Sequence, residues 1–136
     1  MLALVERRHT AWDAHDVATL GTLYAPHSVV VSPTGGVLEG RAEIERVFRL
    51  WFKAFPDIRH RSDEVLIDGN RVVEVAQFTG THAGEFFGVA PTNRRIDVQI
   101  AGILTVADGL IVEERRIYDF TGFLVQVGVL KAKPVA

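Results

Sequence analysis

The apolar positions change period along the chain, and each change marks an element. Residues 3–17 carry a helical pattern, although its apolar face is poor. Asp16 has the character of an N-cap, and Val17, Leu20, Leu23 and Tyr24 follow at helical spacing until Pro26 ends that helix. Val29-Val30-Val31 reads as a short strand and Pro33-Thr-Gly-Gly36 as a turn. The clearest helix runs from Arg41 to Phe55. There Ile44, Val47, Phe48, Trp51 and Phe55 share one face, and Pro56 stops the run.

From Ile58 to Phe120 the pattern is one of strands and turns. Asp68-Gly69 and Asp108-Gly109 are strong hairpin signals, and His82 to Arg94 is a loop rich in Gly, Pro and Asn. Phe123, Leu124, Val127 and Leu130 predict a short last helix with Gly128 near its end. Helices, one strand, a long helix, a run of antiparallel strands and a final helix define an α+β fold. A long helix against a strongly curved antiparallel sheet gives a cone with an apolar interior, a common form of ligand site. No repeat or linker interrupts the pattern, so the 136 residues predict a single domain over 1–136.

The Asp108-Gly109 turn allows faces to be counted. With a two-residue turn, Ala107 pairs with Leu110, and each step outward adds one residue on both strands. Ile111 then opposes Val106, Glu113 opposes Leu104, Arg115 opposes Gly102, Ile117 opposes Ile100, and Asp119 opposes Val98. This face is mostly aliphatic and is expected to point into the core. Asp97 and Gln99 fall on the other face, toward solvent or a partner. An unpaired Asp119 among Val98, Ile100 and Ile117 would be desolvated, which raises a carboxyl pKa and suits it to acid–base work. Arg115 lies roughly 13 Å back along the strand, nearer to Glu113, and Gly102 leaves room for its side chain. One bulge would move Asp119 to the opposite face.

Charge and composition narrow the partners. The net charge is −2, and the pairs Arg7-Arg8, Arg94-Arg95 and Arg115-Arg116 are scattered, so no nucleic-acid footprint is present. The absence of cysteine excludes disulfides and thiolate chemistry. No apolar run approaches the roughly 20 residues of a membrane span, and none marks a signal peptide, so the expected location is the cytoplasm. His9, His15, His27 and His60 show no ligand spacing with carboxylates, so no metal site is expected.

Several segments, in order and spacing, resemble a known family. They are Ala11-Trp-Asp-Ala-His-Asp16, Leu38-Glu-Gly-Arg-Ala-Glu-Ile44, Phe55-Pro-Asp57, Gly80-Thr-His-Ala-Gly-Glu-Phe86, Gly88-Val-Ala-Pro-Thr-Asn-Arg94, Asp108-Gly-Leu-Ile-Val-Glu113, Tyr118-Asp119 and Gln126-Val-Gly128. The chain resembles the SnoaL-like polyketide cyclases of the nuclear transport factor 2-like superfamily. The resemblance implies a cone of curved sheet, a homodimer formed through the sheet's outer face, and ring closure of a polyketide ester by intramolecular aldol chemistry. It also implies no metal or cofactor, and an acid/base aspartate at the position of Asp119. Arg115 and Gly102 depart from the pattern, since many members carry an aromatic and a polar residue there.

The expected site therefore has Asp119 and His82 as catalytic residues. Trp12, Tyr24, Trp51, Val98, Ile100, Arg115 and Ile117 are expected to contact an apolar, carbonyl-bearing ligand. Asp119 also stands where an N-cap of the last helix would. A histidine placed like His82 is more often a solvated loop residue or one that satisfies backbone groups. Isomerase, dehydratase or epoxide hydrolase chemistry on the same fold, or a non-catalytic binding module, are the competing readings.

Overall fold

A computed structural model describes residues 1–131. The single-domain expectation reaches further, and its last residues, 132–136, lie outside the described part. The elements are α1 (Leu2–Asp13), α2 (Val17–Thr22), β1 (Tyr24–Ser32), β2 (Gly36–Glu39), α3 (Arg41–Ala54), β3 (Arg59–Asp68), β4 (Arg71–Thr81), β5 (Arg95–Ala107), β6 (Leu110–Ile117) and α4 (Phe120–Gln126). The strands form one sheet in the order β2-β1-β6-β5-β4-β3. All neighbours are antiparallel except β1 and β6, which run parallel.

The long helix α3 forms as its spacing predicts and buries Ile44, Val47, Phe48, Trp51 and Phe52 against the sheet. Each such side chain contributes roughly 1.5–3 kcal/mol on removal from water. Phe55, Phe86 and Phe123 join Trp51 in an aromatic cluster with centroid separations of 4.7–6.0 Å. That cluster ties α3 to α4 and to the loop after β4.

Two boundaries differ from the sequence pattern. The helical run over 3–17 breaks after Asp13, because His15 takes a positive φ of 54° before Asp16 caps α2. The Asp16 carboxylate accepts from the Thr19 N–H at 3.1 Å, as its capping character predicts. Tyr24 opens β1 rather than closing α2. Its strand is drawn into the parallel ladder with β6, and Pro26 sits in the irregular stretch between Tyr24 and Val29, where a missing N–H costs little.

The Asp108-Gly109 turn closes as expected, with both residues at positive φ and Ala107 opposite Leu110. One step later the ladder slips. Val106 opposes Ile111, but Thr105 opposes Glu113, so Val112 is an extra residue on β6. Beyond this bulge Leu104 faces Glu114, Gly102 faces Arg116, and Ala101 faces Ile117. Every β6 side chain past Val112 is thus on the opposite face from the one simple counting assigns.

Candidate functional site

The bulge decides what enters the cone. Glu114 and Arg116 point inward, the first buried and the second half-buried, whereas Glu113, Arg115, Ile117 and Asp119 are exposed. The expected inward placement of Arg115, Ile117 and Asp119 is therefore corrected. Gly102 makes room for Arg116, beside Glu114, and not for Arg115. Asp119 is the N-cap of α4 and accepts from the Gly122 N–H at 2.8 Å. It lies on an outer groove with Asp97, Gln99, Ile117 and Gln126.

The interior cavity has a volume of about 70 Å³, enough for roughly five waters. Its walls are apolar and include Phe48, Trp51, Phe78, Val98, Ile100 and Phe123. Trp12, Trp51, Val98 and Ile100 line it. Gly102 faces it with open space where a Cβ would stand.

Polar groups gather on one side. On the inner face Glu74 of β4, Gly102 of β5 and Arg116 of β6 lie in one cross-strand row. Helix α1 lays Arg8 and His9 over them. Arg8 reaches Glu114 at 3.2 Å and Glu74 at 3.6 Å, and Arg116 donates to Glu114 from Nε. Tyr24 is fully buried and donates its hydroxyl to Glu114. It holds this cluster in place and is absent from the cavity wall. His9 contacts Glu74 through Nε2, and the Ser62 hydroxyl donates to the same carboxylate oxygen at 3.4 Å.

Burial alone would raise the Glu114 pKa, but Arg116 and Arg8, with hydrogen bonds from Arg116 and Tyr24, outweigh it and hold the carboxyl at about 2. The Tyr118 phenol, which also lines the cavity, is pushed up by burial.

Both buried carboxylates are engaged, yet two donors are left over. Trp12 Nε1 and Arg116 Nη2 are buried without a hydrogen-bond partner, and both side chains line the cavity. The Arg116 guanidinium also lies 5.2 Å from the Phe48 ring centroid. An unpaired buried donor costs roughly 1–3 kcal/mol, so the cavity's unmet demand is for an acceptor.

His82 stands apart. It is buried beside Phe55, with Nδ1 at 3.0 Å from the Thr92 hydroxyl and its backbone bridging to Arg94 and Asn93. It is not among the cavity-lining residues. Burial holds its pKa below the ordinary imidazole value.

Arg8, His9, His60, Glu74, Glu114 and Arg116 were not expected at the site. A signal existed on α1: Leu4, Val5, Arg8, Trp12 follow one stripe, so Arg8 and its neighbour His9 share the buried side with Leu4 and Val5. On β4, Glu74 interrupts the inward series Val72, Ala76, Phe78 in the same way.

These features define a class: an α+β cone whose curved sheet and helices enclose an apolar cavity with a charged cluster on one side. The SnoaL-like polyketide cyclase pattern matches residues 3–127, and the chain belongs to that family. No curated protein matches. Among solved structures, AclR from Streptomyces galilaeus, a candidate hydroxylase, is similar at 28% identity, covering 98% of this chain and 83% of that one, with a TM-score of 0.85. IdmH from Streptomyces antibioticus, a candidate polyketide cyclase, shares 28% identity over 93% of this chain and 97% of its own, with a TM-score of 0.78. An NTF2-like protein from Burkholderia pseudomallei K96243 shares the fold at 16% identity and a TM-score of 0.80, over 93% and 96% of the two chains. No helix among the described residues is long and apolar enough to cross a membrane.

Proposed function

We propose that this protein is a cyclase-like enzyme that binds a flat, apolar, carbonyl-bearing molecule in the cone and stabilises the enolate formed from it. The observation that carries this reading is the pair of unpartnered donors, Trp12 Nε1 and Arg116 Nη2, on the wall of an otherwise apolar cavity. A substrate oxygen supplies the acceptor those donors lack, and it gains negative charge as a proton leaves the adjacent carbon. Fixed donors in a water-poor site favour that charge. The family membership and the likeness to IdmH support a polyketide-like substrate and an aldol-type ring closure.

Asp119 has a smaller part in this reading than its position in the sequence suggests. Its carboxylate is engaged with the Gly122 N–H and sits outside the cavity lining. The proposed chemistry uses protein groups alone, and a cytoplasmic enzyme is the setting it fits. The same reading pairs two copies of the chain through the outer face of β5 and β6. There Ile117 is 50% exposed beside the groove of Asp97, Gln99 and Asp119. Sedimentation of wild type against Ile117→Glu tests the pairing.

The test of the central claim is a titration with 2-acetonaphthone, followed by tryptophan fluorescence. Saturable quenching that weakens at least tenfold in Arg116→Met supports the reading. Absence of saturable binding, or equal affinity in the variant, rejects it.

A further inference from the structure

The cavity wall holds two imidazoles that the reading above leaves unused. His9 on α1 and His60 on β3 both line the cavity, with ring centroids 4.8 Å apart. Each is held by a carboxylate at one nitrogen only. His9 Nε2 meets Glu74, and His60 Nδ1 meets Asp13 at 2.8 Å. Neither opposite nitrogen, Nδ1 of His9 or Nε2 of His60, has a hydrogen-bond partner among the described residues.

A carboxylate on one ring nitrogen fixes the tautomer and orientation of an imidazole. The other nitrogen then exchanges protons with whatever lies before it. Two such groups side by side have different surroundings. His60 has a side chain 7% exposed, and its Asp13 partner is 57% exposed; His9 is 24% exposed, and its Glu74 partner only 9%. Arg8 also faces Glu74, at 3.6 Å, and so competes with His9 for that carboxylate's charge. Ser62 from β3 adds a neutral donor. The two rings therefore differ in burial and in the charges beside them, which lets one serve as base and the other as acid. Among the described residues, no three of the His, Asp and Glu side chains are arranged to hold a metal ion.

We propose that His9 and His60 are the proton-transfer pair of this cavity. One neutral imidazole takes the proton from the carbon next to the substrate carbonyl, and the C–H electron pair becomes the enolate. In an aldol closure that pair forms the new carbon–carbon bond to a second carbonyl carbon. The second imidazole, protonated, gives its proton to the alkoxide oxygen produced. One proton is taken and one is given, so no oxidant or reductant enters. Glu74 and Asp13 are positioning residues that hold the two rings. The proposal rests on the carbonyl-binding reading.

The experiment separates the two claims. The methyl protons of 2-acetonaphthone exchange with D2O when the ketone enolises, and NMR reads the rate, while fluorescence reads binding of the same molecule. Wild type is expected to bind the ketone and speed the exchange. His9→Gln and His60→Gln are each expected to slow it by at least tenfold with affinity little changed, within the range of about 10²–10⁴ typical of acid–base catalysis. Asp13→Asn, a change at an exposed position that spares the fold, is expected to slow exchange at saturating ketone while leaving affinity and urea stability in place. Loss of binding in wild type would reject the carbonyl-binding reading. Binding without accelerated exchange, or exchange unaltered in both histidine variants, would overturn the histidine pair alone, as would unaltered exchange in Asp13→Asn.

Discussion

Arg116 stands opposite Gly102 across the β5–β6 ladder, and the space beside Gly102 is open cavity. The glycine has no positive φ to maintain, so its value lies in the volume it leaves free. Gly102→Leu is expected to fill the cavity and weaken 2-acetonaphthone binding by at least tenfold. Denaturation by urea should show a stability change of only about 1–2 kcal/mol, since the new side chain enters empty space rather than packed core. Unaltered binding in this variant would place the ligand elsewhere.

Glu114 is the hub of the charged cluster, with Arg8, Arg116 and Tyr24 all directed at it. Glu114→Gln leaves two arginines short of a counter-charge. A loss of roughly 3–5 kcal/mol is expected from removing one partner of a buried ionic group, readable by urea denaturation. The pH dependence has a definite sign. The folded carboxyl titrates at about 2 against an ordinary 4.5. Stability from this group is therefore complete above pH 4.5 and lost as the pH falls toward 2. The variant should lack that acid limb.

His82 titrates in another window. Its buried imidazole has a lowered pKa, so the unfolded chain takes up the proton first, starting near the ordinary value of 6.5. Its contribution is full above pH 6.5 and declines as the pH falls below it, with a slope of at most about 1.4 kcal/mol per pH unit. His82→Asn should flatten the stability–pH curve between pH 6.5 and 5. An unchanged slope would mean that the imidazole is solvated in the folded chain.

Asp119 caps α4. Asp119→Ala is expected to cost about 1 kcal/mol, the usual loss for such a cap, and to leave ketone binding and exchange in place. A large fall in exchange with intact stability would restore Asp119 to the chemistry.

Much of the fold was legible in local pattern. Helix α3, the Asp108-Gly109 turn and the apolar inner row of β5 follow directly from spacing and turn chemistry. The site was legible only in part. Val98 and Ile100 on an inward strand face and Trp51 on the apolar face of α3 are legible from periodicity, and all three line the cavity, as does Trp12. Arg115 and Asp119 were misplaced because a bulge at Val112 leaves no mark in the alternation of Val112, Glu113 and Glu114. Arg8, His9 and Glu74 were missed because their partners are distant: 106 residues separate Arg8 from Glu114 and 65 separate His9 from Glu74. Such pairings belong to tertiary packing, which overrides the expectation that charges on a helix or strand face water.

The extra residue at Val112 also divides β6 into two segments that obey different masters. The residues between the turn and Val112 keep step with the hairpin, while those beyond it keep step with the cavity wall. A strand built this way has a phase joint. Removing Val112 would let Thr105 keep Glu113 and Leu104 keep Glu114 without a slip, so the chemistry inside would survive the loss of a residue. Forcing Val112 into the ladder would instead exchange the two faces, turning Glu113 and Arg115 inward and Glu114 and Arg116 out. A single unpaired residue thus selects which of two neighbouring Glu–Arg sets the interior receives.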